Sequence, residues 1–160
     1  MMRVAVICVG KLKERFYIDG AAEYLKRLRP YCKCTVLELP EQHLPDHPSP
    51  AEVEQALAKE GEAIRSRVPP GFQVVALCVE GRLRSSQEMA NLLTTWAHSG
   101  SKGLAFVIGG SHGLHSSIKA QAWAQLSMSP MTFPHHLARV MLLEQIYRAF
   151  KIQEGSQYHK

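Results

Sequence analysis

The run of apolar residues at positions 104–108, closed by Gly109-Gly110, most constrains the fold of this chain. It is too short for a helix and apolar at every position, which is typical of a strand buried on both faces. Glycine carries no Cβ, so the sequence predicts that a ligand approaches the backbone closely at this strand end. Residues 125–129 form a second strand-like segment that ends in a Pro-Met-Thr-Phe-Pro loop. Ligands of α/β sheets lie at the carboxyl ends of strands, so these two loops could form one pocket.

The rest of the chain alternates short strands with longer helices. Ser49 with Glu52, and Ser85 with Glu88, have the spacing of capping boxes that begin helices. Alternation of this kind predicts an α/β fold: a single, doubly wound, mainly parallel sheet with helices on both faces. The predicted strands are residues 3–9, 33–39 (near a sheet edge) and 72–79 (ended by Glu80-Gly81), and the predicted helices are residues 14–28, 50–67, 86–100 and 137–150.

Length and composition indicate one domain spanning residues 1–160. Lysine and arginine number 19 against 14 acidic residues, and the resulting charge of +5 suits an anionic partner such as nucleic acid. No apolar run is long enough for a membrane span, so we expect a cytoplasmic protein with no membrane partner. Cys32 and Cys34 lack a second pair at zinc-finger spacing, and we therefore expect reduced thiols and no metal site.

Two alternative functions stay open on the residues alone. The segment Gly109-Gly110-Ser111-His112-Gly113 matches the G-x-S-x-G elbow of serine hydrolases, in which the serine follows a strand. No aspartate follows Ser111, so a catalytic triad would have to use a glutamate and a later histidine. The basic charge is also compatible with a non-enzymatic RNA-binding module, although the aromatic motifs of common RNA-binding domains are missing.

Several motifs resemble one known family in order and spacing. They are VGKLKERF, EYLKRLRPY, FVIGGSHGL, LSMSPMTFPHHLARVMLLEQIYRAFKI and the terminal YHK. Together they resemble the ribosomal RNA large subunit methyltransferase H family, small SPOUT methyltransferases that methylate N3 of a pseudouridine in 23S rRNA of assembled ribosomes. The resemblance implies a carboxyl-terminal trefoil knot, S-adenosyl-L-methionine as cofactor, the ribosome with its 23S rRNA as partner, and a homodimer. The broad apolar surface of the helix at residues 137–150 also favours a second partner.

The resemblance also implies site residues. Apolar side chains and a glycine suit the flat adenine ring and its need for main-chain contacts. Positive groups would stabilise the anion that forms at N3, and a histidine could accept the N3 proton. Glu144 is left out, because Glu144 and Arg148 have the i,i+4 spacing of an ordinary helical ion pair. The implied cofactor-binding residues are Leu77, Gly109, Met128, Ser129, Pro130, Met131, Thr132 and Phe133. The catalytic candidates are Arg139, Arg148, Tyr158 and His159. Tyr158 and His159 lie in a tail (residues 153–160) that could reach the other subunit's cofactor.

Overall fold

The computed structural model describes residues 1–159, which form a five-stranded, all-parallel sheet covered by helices. Each strand is followed by a helix, and the first four of these helices return the chain to the amino end of the next strand. The elements in chain order are β1 (Met2–Val9), α1 (Arg15–Leu28), β2 (Cys32–Leu39), α2 (Pro50–Arg67), β3 (Phe72–Leu83), α3 (Ser86–Ala97), β4 (Gly103–Ile108), α4 (Ser116–Gln121), β5 (Ala124–Ser127) and α5 (His135–Gln153).

The strand order is β2-β1-β4-β3-β5, so β3, β4 and β5 all lie on the opposite side of β1 from β2. Strand β4 is the centre, and every one of its residues is buried. Strand β2 lies at an edge and alternates between covered and exposed side chains, as its sequence predicts. The order brings the carboxyl ends of β4, β3 and β5 side by side.

Two apolar layers hold the helices on the two faces of the sheet. Helices α1, α3 and α5 pack on one face around Phe106 and Leu143. Helices α2 and α4 cover the other face through Ile64 and Ile118, against Val107 of the central strand. The predicted doubly wound α/β architecture is therefore confirmed, while the trefoil knot stays an implication of the family resemblance.

Both predicted capping boxes are present. The Ser49 side chain accepts a hydrogen bond from Glu52 N, and the Glu52 carboxylate accepts one from Ser49 N. Ser85 and Glu88 make the same reciprocal pair at the start of α3. These caps satisfy backbone N–H groups that have no acceptor within the first helical turn.

Strand β3 was predicted to end at Glu80-Gly81, and this was wrong, because it continues to Leu83. Its pairing with β5 slips at this point, so that Leu77 and Arg82 both lie opposite Leu126. A Cβ on Gly81 would lie 2.8 Å from the carbonyl carbon of Leu126, and the glycine therefore permits the irregular pairing to continue. A glycine that ends a strand and one that bends it look alike in sequence.

Candidate functional site

A cavity of about 340 Å³ opens at the carboxyl ends of β3, β4 and β5. From the sheet it is lined by Leu77 of β3, Ile108 at the end of β4 and Leu126 of β5. Its sides come from the loops after β4 and β5, as the two-loop hypothesis predicts. This volume lies at the lower end of the range for small-molecule sites.

Most of the residues implied as cofactor-binding lie together at this cavity. Leu77 lines it from β3 and Gly109 from the end of β4. Pro130 is exposed and does not line it. Met131 and Phe133 keep large exposed fractions, 73% and 37%, which leaves apolar surface free at the cavity wall. The lining residues from the loop after β5 are Met128, Ser129, Met131, Thr132 and Phe133.

The two glycines that end β4 make room for protein atoms, and the predicted approach of a ligand to their backbone stays a prediction. A Cβ on Gly109 would lie 2.3 Å from the carbonyl oxygen of Gly113. A Cβ on Gly110 would lie 2.6 Å from Oε1 of Glu41. Gly113 N also donates to Gly110 O at 3.1 Å, which closes a tight turn. The glycines therefore shape the cavity wall by allowing the turn to fold back on itself.

Ser111 is engaged by a carboxylate, which removes the basis of the hydrolase alternative. Its hydroxyl donates to Glu41 Oε1 at 2.7 Å, and its backbone N–H donates to the same oxygen at 2.9 Å. The serine of a G-x-S-x-G elbow needs the histidine of its triad as general base at this distance. The described residues place no histidine in hydrogen-bond contact with the Ser111 hydroxyl. Desolvation raises the pKa of Glu41, but the hydrogen bonds from Ser111 and nearby positive charge outweigh it and leave this pKa below its ordinary value, so the carboxylate is anionic at neutral pH.

Arg139 lies in the protein interior and does not line the cavity. It is 2% exposed, and its guanidinium donates to Glu38 Oε2 at 2.6 Å and to Gly10 O at 2.9 Å. Glu38 Oε2 also accepts from Leu12 N at 3.0 Å. These contacts join α5 to the carboxyl ends of β1 and β2. The structure thus gives Arg139 a binding partner in the protein and separates it from the other catalytic candidates.

The remaining catalytic candidates form a cluster on α5 and the tail. Arg148 donates from Nε to Glu144 Oε1 at 2.9 Å, which is the predicted helical ion pair. The Arg148 guanidinium lies 4.8 Å from the Tyr158 ring centre and 3.4 Å from His159 Nδ1. The Tyr158 hydroxyl donates to Glu144 Oε1 at 3.3 Å. Glu144, left out on sequence grounds, is therefore the common acceptor of the cluster.

This tail cluster lies outside the cavity within one chain, since none of its residues lines it. Burial and the nearby Glu144 carboxylate raise the pKa of Tyr158, which keeps the phenol protonated at neutral pH. Tyr158 can therefore donate a hydrogen bond but is not a base at that pH. A contact between Lys160, the last residue of the YHK motif, and an RNA phosphate stays a prediction, because Lys160 lies outside the described residues.

Sequence reasoning missed three polar groups around the cavity. His135 lines it, and burial lowers the pKa of this histidine, so the ring is neutral at pH 7. Glu80 and Lys119 form an ion pair at its mouth. The His-His pair that follows Pro134 was a detectable signal, because it begins a helix directly after a predicted binding loop. Glu80 and Lys119 are too far apart in sequence for their pairing to be read from it.

No helix within residues 1–159 is both long and apolar enough to cross a bilayer. A family model described as "Predicted SPOUT methyltransferase" matches residues 2–159. The protein is 49% identical over 160 residues to the ribosomal RNA large subunit methyltransferase H of Moorella thermoacetica, covering 100% of both chains. It is 46% identical over 159 residues to the protein of that name from Streptococcus equi subsp. zooepidemicus, covering 99% of this chain and 100% of the relative.

Solved structures share the fold at lower identity. A probable methyltransferase from Bordetella pertussis Tohama I aligns with a TM-score of 0.57 at 16% identity, over 92% of this chain and 96% of that one. A probable methylase family protein from Haemophilus influenzae Rd KW20 aligns with a TM-score of 0.53 at 16% identity, over 99% of this chain and 70% of that one. The family model matches nearly the whole chain, and the two curated relatives share 49% and 46% identity with it over essentially their full length. The chain is therefore an enzyme of the SPOUT methyltransferase family and belongs, within it, to the ribosomal RNA large subunit methyltransferase H family.

Proposed function

We propose that this protein transfers a methyl group from S-adenosyl-L-methionine to N3 of a pseudouridine in 23S rRNA of assembled ribosomes. The observation that carries the proposal is full-length identity of 49% to a ribosomal RNA large subunit methyltransferase H, combined with a cavity at the matching loops. The positive net charge of +5 favours an RNA substrate. Such a substrate places the protein in the cytoplasm.

The cavity has the chemistry that S-adenosyl-L-methionine requires. Leu77, Met128 and Phe133 provide apolar surfaces for the adenine ring, and the backbone of the loop after β5 offers polar groups to its edge. Ser129 Oγ already accepts from Met131 N at 2.9 Å, which holds that loop in shape. When bound, the sulfonium supplies an electrophilic methyl group. Gly109 lets the opposite wall come close through its turn with Gly113.

Deprotonation of N3 is assigned to the tail cluster. A pseudouridine N3 carries a proton at neutral pH, so transfer requires a base and stabilisation of the developing anion. In the proposal His159 accepts the proton, Arg148 stabilises the anion, and Tyr158 donates a hydrogen bond to the base or stacks on it. Arg139, which already binds Glu38, would act by holding α5 in position.

The proposal includes a homodimer, because one chain keeps its tail cluster outside its own cavity. A second subunit could bring its tail to that cavity and complete the site. Helix α5 supports this arrangement, since apolar side chains beyond its buried stripe stay partly exposed. These partly exposed residues are Leu137, Val140, Met141, Tyr147 and Phe150. Light scattering at micromolar concentration should give about twice the chain mass of 17.9 kDa, and a stable monomer would contradict the shared site.

The function is tested with ribosomes from cells that lack the gene. Incubation with the protein and isotopically labelled S-adenosyl-L-methionine should add one methyl group to a pseudouridine of 23S rRNA, located by mass spectrometry of nuclease fragments. Free 23S rRNA serves as the comparison substrate and should be methylated more slowly. Methylation of a different base, or of protein only, would contradict the proposal.

A further inference from the structure

The turn between β1 and α1, together with the first two residues of α1, carries an exposed group of cations beside an exposed aromatic ring. Lys11, Lys13 and Arg15 are exposed, and Phe16 is 67% exposed. We name residues 11–16 the basic turn. We propose that the basic turn is an RNA-binding element, in which Lys11 and Lys13 contact phosphates and Phe16 stacks on an unpaired base. The inference rests on the proposed function in taking ribosomal RNA as the partner.

The basic turn adjoins the cavity. A Cβ on Gly10, the residue before the turn, would lie 3.2 Å from Nε2 of His135 and 3.6 Å from Nε2 of His136. His135 itself lines the cavity. A polynucleotide whose target base enters the cavity would therefore pass its neighbouring nucleotides across this turn.

The backbone of the turn is held rigidly. Gly10 N donates to Leu39 O at 2.7 Å, and Gly10 O accepts from Arg139 at 2.9 Å. Leu12 is buried, and its N–H donates to Glu38 Oε2. Because Leu12 anchors the turn between Lys11 and Lys13, these two cations project outward from a fixed backbone. Such preorganisation reduces the entropy that is lost on binding.

The nearby carboxylates leave the two lysines available to a ligand. Within residues 1–159 no carboxylate lies within 4 Å of either ammonium group. Glu14 faces His136, with its Oε2 3.7 Å from Nδ1, and Glu38 pairs with Arg139. Arg15 makes only a long, exposed contact of 3.9 Å to Asp19. An anionic partner would thus gain two cations without breaking an ion pair.

The exposed ring favours RNA over a simple anion or an acidic peptide. Phe16 packs against Tyr17, with ring centres 4.1 Å apart, which leaves its own outer face free. Aromatic rings stack on unpaired bases, and cations beside them contact the backbone of the same strand. A rigid arrangement of two lysines and one free ring matches a single-stranded segment of RNA.

The test compares two double variants that lose the same charge. Lys11→Ala/Lys13→Ala removes the proposed contacts, which follow the carboxyl end of β1. Arg67→Ala/Lys102→Ala removes two exposed cations that precede β3 and β4, at the amino ends of the strands. Binding of a fluorescent single-stranded RNA oligomer is measured between low and high salt. Losing two phosphate contacts should weaken affinity roughly 10- to 30-fold near 0.1 M salt and reduce the salt slope by about 1.4.

Affinity for S-adenosyl-L-methionine, measured by calorimetry, should be the same in both double variants and the wild type. If ribosomes are substrates, KM for ribosomes should rise in Lys11→Ala/Lys13→Ala while kcat changes little. Equal RNA affinity and equal salt slope in the two double variants would overturn the assignment. The RNA-binding readout does not depend on methylation, so a wrong reaction and a wrong binding surface give different results.

Phe16 is tested separately. Phe16→Ala should weaken RNA binding about tenfold, and Phe16→Trp should restore it, because stacking tolerates any large aromatic ring. Light scattering is measured on the same samples. If Phe16→Ala instead changes the mass of the particle in solution, the ring belongs to a subunit contact and the stacking assignment is wrong.

Discussion

The carboxylate of Glu41 accepts both the backbone N–H and the hydroxyl of Ser111, at 2.9 and 2.7 Å. The two residues are 70 positions apart, so this contact fastens the loop after β2 to the turn after β4. The turn is a wall of the cavity. Glu41 therefore orders a wall of a cavity that it does not itself line.

Loss of the Glu41 carboxylate should weaken binding of S-adenosyl-L-methionine. Hydrogen bonds to a charged group contribute roughly 1.5–3 kcal/mol. Without them the turn is no longer held in place, so ordering it when the ligand binds reduces the free energy of binding. We expect Glu41→Ala to raise the Kd by about tenfold and Glu41→Gln, which keeps an acceptor, by less. Titration calorimetry checks this, with Glu62→Ala, an exposed change on α2, as the control. Unchanged affinity in Glu41→Ala would mean that the turn is ordered without it.

Even one methyl group on Gly109 should disrupt the cavity. The added Cβ would lie 2.3 Å from Gly113 O, so Gly109→Ala must displace the backbone of the turn. We expect cofactor affinity to fall by at least about tenfold. Gly100→Ala is the control, because its positive φ of 78° costs stability at a turn distant from the cavity while nothing lies within 4 Å of the new methyl group. If both variants lost affinity equally, general destabilisation would explain the effect.

The Glu38–Arg139 pair predicts how stability depends on pH. Desolvation raises the pKa of Glu38, but the hydrogen bonds from Arg139 and Leu12 outweigh it and leave this pKa below its ordinary value. The stabilisation is therefore complete above the unfolded pKa of about 4.3 and is lost as the pH falls through the lower folded pKa. Urea unfolding between pH 3 and 7 should show a steeper acid decline in the wild type than in Glu38→Gln.

Glu38→Gln should also be less stable at pH 7, because it leaves the buried Arg139 guanidinium without a counter-charge. The cost should be about 1–3 kcal/mol, below that of a fully buried pair, since the Glu38 side chain is partly exposed. If Glu38→Gln were as stable as the wild type and had an identical acid decline, the pair would contribute nothing to folding.

Removal of the tail should separate turnover from cofactor binding. Truncation after Ile152 deletes Tyr158 and His159, and we expect methylation of ribosomes to be abolished while calorimetry shows nearly unchanged cofactor affinity. His159→Ala should lower kcat by roughly 100-fold or more if it acts as the base. Gln157→Ala, exposed in the same tail, is the control. A truncated protein with full activity would place the base elsewhere.

The sequence was sufficient to predict the sheet, because its strands and caps are local patterns. Residues 104–108 are apolar throughout, and all lie buried in the central strand β4.

Phe16 shows the limit of periodicity. It recurs at helical spacing with the other apolar residues of α1, yet it is 67% exposed. Helical spacing predicts which residues share a face and not how far the neighbouring layer reaches.

The candidate site was only partly predictable for a related reason. Leu77, Gly109 and Phe133 could be placed together, because strand ends of a parallel sheet meet at one edge. The contact between Glu41 and Ser111, and the burial of Arg139 against Glu38, depend on three-dimensional geometry between distant segments. Arg139 looks in sequence like any helical cation, and only its surroundings show that both terminal nitrogens of its guanidinium already donate to protein acceptors.

The strand order has a consequence during translation. Strand β1 leaves the ribosomal exit tunnel early, but its neighbour β4 is made almost a hundred residues later, so the nascent chain must carry β1 with one edge unpaired. The cavity comes later still, because its lining extends from Leu77 to Ala138. The lining of the proposed methyl-donor site is therefore assembled only after Ala138 has been synthesised.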